Sequence, residues 1–222
     1  MSTNQGLDYN VDIVMCIDAT GSMSSIIDQV KTNALSFYRD FVKAMQDGDK
    51  SVQQLRIKVI AFRDYGCDTE PMVESKFFVL DDESTDFRDF FNGIEATGGG
   101  DGPENSLEAI ALAMKSDWVR TGTKRRHVII MWTDAPALAL GARRESPNYP
   151  SDMPADLAEL HEWWEGQEMD KSAKRLLIFA PDTEPWSDLV DWMNTFHEAS
   201  QAGQGCRDAD LSTCIQMLVK SI

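Results

Sequence analysis

Apolar positions along the chain fall into two alternating kinds of segment. Four near-continuous apolar runs occur, at about residues 11–17, 55–62, 128–133 and 175–180. Such runs are typical of strands that are buried on both faces of a parallel sheet. After the first run, apolar residues from Ile26 to Phe41 recur at spacings of three and four, as on the buried face of a helix. The alternation of strands and helices predicts an α/β fold with a mostly parallel sheet.

The remaining segments are assigned in the same way. The helix after the first strand is predicted to end near Gly48, because glycine suits a C-terminal cap. A Pro-rich loop at 135–154 is the one unusually long connection, and loops of that length are often functional. Residues 1–9 are predicted to form a polar, flexible tail, and residues 10–222 a single domain, since no repeat or linker divides them. The other predicted elements are a short strand near 76–80, helices at about 85–93, 103–114, 155–169 and 187–199, and a last helix at about 208–220.

Composition and charge narrow the classes of function. Hydrophobic residues make up 42% of the chain and charged residues 26%, the balance of a folded soluble domain. The formal net charge of −16 argues against binding to nucleic acid or to an anionic membrane surface, because such binding needs a basic patch. The charge favours cations and basic partners. Solubility alone also accounts for scattered acidic residues. No stretch resembles a signal peptide or a membrane span. The 4 cysteines include no C-x-x-C pair, so we expect a reducing, cytoplasmic setting.

Side chains with oxygen ligands follow two of the predicted strands. Asp18 comes directly after the first strand, in the stretch DATGSMSS, and Asp134 comes directly after the run VIIMWT. Because the carboxyl ends of parallel strands meet at one edge of a sheet, where ligands of such folds bind, both carboxylates should project there. The segment GGGDGPE precedes a predicted helix and can bring Asp101 to the same edge. Three carboxylates should therefore converge with the hydroxyls of Thr20 and Ser22.

Neighbouring carboxylates raise one another's pKa values unless protons or a cation compensate. A hard divalent cation resolves the conflict, because Mg²⁺ takes about six oxygen ligands and usually keeps several waters. His127, His161 and His197 have no metal-ligand spacing, which argues against zinc. The sequence predicts a site for Mg²⁺, or for Mn²⁺ or Ca²⁺ in its place, with these metal ligands: Asp18, Thr20, Ser22, Asp101 and Asp134.

The stretch around Asp18 resembles the von Willebrand factor type A domains, also called integrin inserted-domain-like modules, which carry a metal-ion-dependent adhesion site. The first motif of that family is D-x-S/T-x-S after the first strand, and residues 18–22 read DATGS. Its third motif is T-D-G/A after the fourth strand, and residues 133–135 read TDA. The resemblance covers about residues 10–220.

The second motif departs from the common pattern of this family. It usually supplies a threonine in G-G-T before a helix, whereas counting back from Leu107 places Asp101 at that position. GGGD-x-PE also occurs in hemicentin-like and α-kinase-associated members, and FRDY at 62–65 resembles that subgroup too. The extra carboxylate predicts a cation that is held more firmly without a partner and that gains less from an acidic one.

The resemblance implies a fold and a function. The fold is doubly wound, with a mostly parallel central sheet, one short antiparallel edge strand and helices on both faces. The function is that of a non-enzymatic, divalent-metal-dependent protein-binding module, in which a carboxylate of the protein partner completes the coordination of the metal. Fold alone does not identify that partner.

Other interpretations of the same residues stay open. Mg²⁺-assisted phosphatases of the haloacid dehalogenase class also carry an aspartate after the first strand, but they need a second acid where this chain has Thr20. In a metal-independent scaffold, the polar residues would only form a turn and a helix cap. Asp64 is either an acceptor behind the metal site or half of an ion pair. Arg143 and Arg144 either receive an acidic partner or lie on a solvated loop.

Overall fold

A seven-stranded sheet forms the centre of the computed structural model, which describes residues 7–25, 27–100, 102–200, 215, 216, 218 and 219. Its strands are β1 (Leu7–Asp18), β2 (Lys50–Phe62), β3 (Met72–Glu74), β4 (Phe78–Val79), β5 (Lys124–Trp132), β6 (Lys174–Pro181) and β7 (Thr195–Ser200). The helices are α1 (Ile27–Asp47), α2 (Leu80–Asn92), α3 (Ser106–Met114), α4 (Leu157–Glu165) and α5 (Trp186–Leu189), and a 3₁₀ turn covers Gly21–Ser25.

The strand order places β1 at a crossover between two halves of the sheet. The order is β3-β2-β1-β5-β6-β7, and β4 pairs separately with β2. Strands β2, β1, β5, β6 and β7 are parallel, whereas β3 and β4 are antiparallel to β2. Ile17 of β1 pairs with Trp132 of β5, so the residues after both strands emerge side by side. In doubly wound sheets this crevice is where ligands bind.

Helices cover both faces of the sheet because successive strand residues point to opposite sides. On one face, Ile13 belongs to the same buried core as Phe41 of α1 and Phe87 of α2. On the other face, Val14 belongs to a second core with Trp164 of α4 and with apolar residues of α3 and α5. Full burial of each such side chain contributes about 1.5–3 kcal/mol to folding. The predicted doubly wound fold is confirmed.

The helix predicted at about 187–199 is wrong. α5 ends at Leu189, and β7 starts at Thr195. Asn194, between them, has a φ of 64°, in the left-handed region that a helix cannot continue through. β7 pairs with β6 along its whole length, so the hydrogen bonds along the β6 edge outweigh the local helical spacing.

Three other boundaries are refined. β1 begins at Leu7, so residues 7–9 of the predicted tail belong to the sheet, whereas residues 1–6 lie outside the described part. The antiparallel edge consists of two short segments, β3 and β4, of which the sequence predicted only the second. Of the predicted last helix, residues 215, 216, 218 and 219 are helical, and its other residues are outside the described ranges. Within those ranges, no helix has the length and apolar character that crossing a membrane requires.

Candidate metal centre

Asp18 and Asp134 are joined by a chain of hydroxyl groups at the carboxyl ends of β1 and β5. Thr20 donates to Asp18 Oδ1 from its backbone N at 2.9 Å and from Oγ1 at 2.6 Å. Ser22 Oγ lies 3.1 Å from Thr20 Oγ1 and donates to Asp134 Oδ1 at 2.8 Å. On the other side, Thr133 Oγ1 donates to Asp18 Oδ2 at 2.7 Å. Residues 112 positions apart in the sequence thus share one network.

The two hydroxyl groups bring oxygen atoms together between the two carboxylates. Thr20 Oγ1 lies within hydrogen-bond distance of both Asp18 and Ser22, and Ser22 Oγ within hydrogen-bond distance of both Thr20 and Asp134. A hydroxyl oxygen keeps lone pairs when it donates its proton, so both oxygens can also contact a hard cation. The donor set is oxygen only and fits a divalent cation of the Mg²⁺ type.

The electrostatics of Asp18 also favour a positive ion. Burial is the main cause that raises the pKa of Asp18 to about 6, and the charge of Asp134 adds to the rise, while hydrogen bonds from Thr20 and Thr133 oppose it. An ionised carboxylate in this position therefore carries an unfavourable interaction that a nearby cation relieves.

An open cleft of about 430 Å³ lies over this network. Thr20, Ser22 and Asp134 line it. Asp101 lies outside the described residues, but Gly100 and Gly102 on either side of it both line the cleft. The other lining residues are Gly21, Gly98, Pro103, Glu104, Ala135 and Pro136. Four of the five predicted ligands are therefore brought together, and Asp101 stays a prediction.

The described ranges contain no group of three or more Asp, Glu, His or Cys side chains that could hold a metal ion by itself. Among the described residues, a cation bound here would therefore be held by the carboxylates of Asp18 and Asp134 together with hydroxyl groups and water. Mg²⁺ suits such a set, since it commonly binds proteins through one or two carboxylates and keeps several waters.

Arg63, in the sequence FRDY, holds the loops beneath the site. It is buried, and its Nε donates to the carbonyl oxygens of Ala19 at 3.1 Å and Thr97 at 3.0 Å. Its Nη1 donates to Glu70 O at 3.1 Å, and its Nη2 donates to Glu95 O at 2.6 Å. One guanidinium thus fixes the segment after β1 against the glycine loop, which sets the position of Thr20.

The glycine loop approaches the site too closely for side chains. Gly99 has a φ of 91°, and a Cβ on it would lie 2.5 Å from Thr20 Cγ2 and 2.8 Å from Glu104 Oε1. Asp68 holds the loop, because its Oδ2 accepts a hydrogen bond from Gly99 N at 3.1 Å. The GGG run therefore serves close packing against Thr20.

Asp64 forms an ion pair with Arg143. Arg143 Nε donates to its Oδ1 at 2.8 Å and Arg143 Nη2 to its Oδ2 at 2.7 Å. Burial alone would raise the pKa of Asp64, but the hydrogen bonds and charge of Arg143 hold it below its ordinary value. Arg144 donates to Pro154 O at 2.9 Å. The charge of Arg143 is therefore compensated by Asp64, and contact between the loop and an acidic partner stays a prediction.

The sequence analysis missed Glu104 as a site residue. Glu104 is buried in the wall of the cleft, and burial, followed by the charges of Asp18, Asp64, Asp68 and Asp134, raises its pKa to about 8. The GGGDGPE segment contains two acidic residues, Asp101 and Glu104. A pattern of residue types does not show which of the two faces the cleft.

Comparison with known proteins agrees with the fold and with the positions of the motifs. A sequence profile of the von Willebrand factor A domain matches residues 12–143, which is more than half of the chain and includes the whole range from Asp18 to Asp134. The chain belongs to the von Willebrand factor A domain family. The predicted family is thereby confirmed for this A domain.

A curated relative of this A domain is the α-protein kinase vwkA of Dictyostelium discoideum. The two are 27% identical over 147 residues, which make up 65% of this chain and 21% of the kinase. The A domain described here thus spans about a fifth of the length of that relative.

Solved structures similar to this A domain come from distant sources. The pilus adhesin SpaC from Lactobacillus rhamnosus GG superposes with a TM-score of 0.59 at 12% identity, over 95% of this chain and 31% of that one. A von Willebrand factor type A protein from Catenulispora acidiphila gives 0.56 at 15% identity, over 96% and 43%. Proximal thread matrix protein 1 from the mussel byssus gives 0.54 at 12% identity, over 97% and 48%. At these identities, the likeness shows the shared fold alone.

Proposed function

We propose that this A domain is a non-enzymatic, divalent-metal-dependent protein-binding module with a metal-ion-dependent adhesion site. The metal is Mg²⁺, with Mn²⁺ or Ca²⁺ as substitutes, and its ligands are Asp18, Thr20, Ser22, Asp101 and Asp134. The observation that carries the proposal is the chain of oxygen atoms from Asp18 through the Thr20 and Ser22 hydroxyl groups to Asp134, beneath an open cleft.

The bound cation would supply positive charge to a cleft whose own residues are acidic. A carboxylate from a protein partner is the ligand that best completes its coordination, since hard divalent cations prefer oxygen ligands. Membership of the A domain family supports a protein partner. The net charge of −16 supports the exclusion of nucleic acid and of an anionic membrane surface. A cytoplasmic setting is part of the same proposal, and the cysteines of the sequence, which include no C-x-x-C pair, support it.

A phosphatase-like hydrolase is the less supported alternative. The position two residues after Asp18 is Thr20, which donates its proton to Asp18 and is no second acid. The three histidines lie elsewhere in the fold: His127 contacts Val119 O, the His161 ring lies against the Trp192 ring, and His197 contacts Ala180 O. No histidine is therefore among the described residues that line the cleft, so the sequence position of Thr20 and the place of the histidines both speak against hydrolysis.

Calorimetric titration with Mg²⁺ and Mn²⁺ tests the metal site. Wild type should bind one ion, and Asp18→Ala should bind none at millimolar concentration. Asp101→Thr should weaken metal binding, because a neutral ligand replaces a charged one. Lack of binding by wild type would refute the proposal.

Pull-down experiments then separate the three classes of function. A metal-dependent binding module retains its partner in Mg²⁺ and loses it with a chelator or in Asp18→Ala. A metal-independent scaffold retains the same partner under all three conditions. A hydrolase would turn over p-nitrophenyl phosphate in Mg²⁺ and lose that activity in Asp18→Ala.

A further inference from the structure

One oxygen of the buried Glu104 carboxylate lacks a hydrogen-bond partner among the described residues. Only 4% of the residue is exposed, and it lines the cleft with Thr20, Ser22 and Asp134. Its Oε2 has no hydrogen-bond partner within the described part of the chain. A carboxylate removed from water without donors is strongly unfavourable, so its position requires a proton, a donor or a cation.

The backbone of Glu104 fixes this carboxylate against the metal centre. Glu104 N donates to Pro136 O at 3.1 Å, and Leu138 N donates to Glu104 O at 2.8 Å, which ties the start of α3 to the loop after Asp134. On the other side lies Gly99, where a Cβ would come within 2.8 Å of Glu104 Oε1. The side chain is thus confined between the glycine loop and the loop that carries Asp134.

On the basis of the proposed function, we propose that Glu104 is a positioning residue for the cation. Water molecules that the cation retains would lie between it and the Glu104 carboxylate. The carboxylate accepts hydrogen bonds from those waters and adds its negative charge to the charges of Asp18 and Asp134. An outer position agrees with the described ranges, in which no group of three or more Asp, Glu, His or Cys side chains could hold a metal ion directly. Metal-bound waters are donors, so they supply what Oε2 lacks.

The position of Glu104 also affects how strongly the cleft attracts an acidic group of the partner. An incoming carboxylate would meet the charge of Glu104 as well as the attraction of the cation. Glu104 therefore strengthens retention of the cation in the free protein and reduces the gain from an acidic group of the partner. This deepens the proposed function without changing its site.

The test is Glu104→Gln, which keeps the shape of the side chain and removes its charge. Calorimetric titration with Mg²⁺ should give a Kd roughly 10- to 100-fold higher than that of wild type, the usual effect of losing a partner of this kind. Glu108→Gln is the matched control. Glu108 lies on α3 and, like Glu104, is buried with an unpartnered Oε2 among the described residues, but it does not line the cleft. Its Kd should stay within roughly 3-fold of wild type, since its charge lies outside the cleft.

Thermal unfolding gives a second readout that a purely structural role would not produce. Without Mg²⁺, Glu104→Gln should unfold at the same temperature as wild type or higher, because the amide replaces a carboxyl group whose burial is unfavourable. With saturating Mg²⁺, wild type should gain more in unfolding temperature than the variant. A variant that is less stable than wild type without metal, yet gains equally from Mg²⁺, overturns the inference.

The outcomes separate this inference from the proposed function. If Glu104→Gln binds Mg²⁺ as tightly as wild type while Asp18→Ala does not bind, the metal site stands and the role of Glu104 is wrong. If wild type does not bind Mg²⁺, both fail. Glu104→Asp keeps the charge, so its Kd should lie closer to wild type than that of Glu104→Gln; a Kd equal to or higher than that of Glu104→Gln indicates packing alone and overturns the inference.

Discussion

Arg143 closes the loop after Asp134 by forming two hydrogen bonds, at 2.8 and 2.7 Å, with the buried carboxylate of Asp64. The Asp64 side chain is 4% exposed, whereas that of Arg143 is 37% exposed. The pair connects the residues after β2 to the loop that follows Asp134. It also explains why a long loop can carry a defined conformation beside the cleft.

Arg143→Ala should lower the free energy of unfolding by about 1–3 kcal/mol, because it leaves the buried carboxylate of Asp64 without its only cationic donor among the described residues. Exposure of the guanidinium keeps the loss below that expected for a fully buried pair. Urea denaturation at pH 7 measures it. Asp64→Asn combined with Arg143→Ala should be less destabilised than the sum of the single variants, and strict additivity would mean that the pair does not interact.

Asp170 should make stability depend on pH. Its carboxylate accepts hydrogen bonds from Arg125 Nη2 at 2.7 Å and from Ser172 N and Oγ at 3.0 and 2.8 Å. The hydrogen bond from Arg125, followed by those from Ser172, holds the pKa of Asp170 well below its ordinary value of 3.8. The folded state therefore binds this proton less tightly than the unfolded state does, so the contribution is fully present above pH 3.8 and is lost as the pH falls below it.

Asp170→Asn is the variant that isolates this contribution. Wild type should be more stable than the variant above about pH 4, and the difference should shrink towards pH 2, because protonation removes the same charge from wild type. Unfolding in urea between pH 2 and pH 7 measures the difference. A gap that stays constant over this range would assign the effect to packing and not to the charge.

Gly99→Ala should disturb the metal centre through space. The φ of 91° is strained for any residue with a side chain, and the new Cβ would lie 2.5 Å from Thr20 Cγ2. We expect a loss of about 2–4 kcal/mol of stability from strain and overpacking together, with weaker Mg²⁺ binding. Gly102→Ala is the matched control, because a Cβ there meets nothing within 4 Å, and its stability should change by less than about 0.5 kcal/mol. Equal effects of the two substitutions would contradict the assigned packing.

Thr20→Val should separate the hydroxyl of Thr20 from its shape. The substitution removes the 2.6 Å hydrogen bond to Asp18 and one of the two hydroxyl oxygens, so the Kd for Mg²⁺ should rise by more than roughly 10-fold. Ser24→Ala serves as the control and should leave the Kd unchanged, because Ser24 is an exposed residue of the 3₁₀ turn that follows Thr20. Calorimetry on both variants decides whether Thr20 acts through its oxygen, since retained affinity in Thr20→Val would exclude it as a ligand.

The strands of this A domain could be predicted because apolar runs are local signals. The apolar run from Val11 to Ile17 predicts a strand with both faces buried, and these residues are buried in β1 at the centre of the sheet. Asp18 and Asp134 could be placed at one edge because parallel strands share their direction. The helix predicted at 187–199 failed because spacing within one segment does not report the free edge of β6, with which Thr195 to Ser200 pair.

The sequence by itself determined which residues lie at the carboxyl ends of β1 and β5, since strand direction and residue order settle that without long-range contacts. Only the tertiary structure decided that Arg63 binds four carbonyl groups, that Asp64 pairs with Arg143 and that the unpartnered carboxylate of Glu104 faces the cleft. The physical reason is distance along the chain: Asp64 and Arg143 are 79 residues apart, and their meeting depends on how the helices and loops pack across the sheet. Local patterns of apolar and polar residues carry no record of such a meeting.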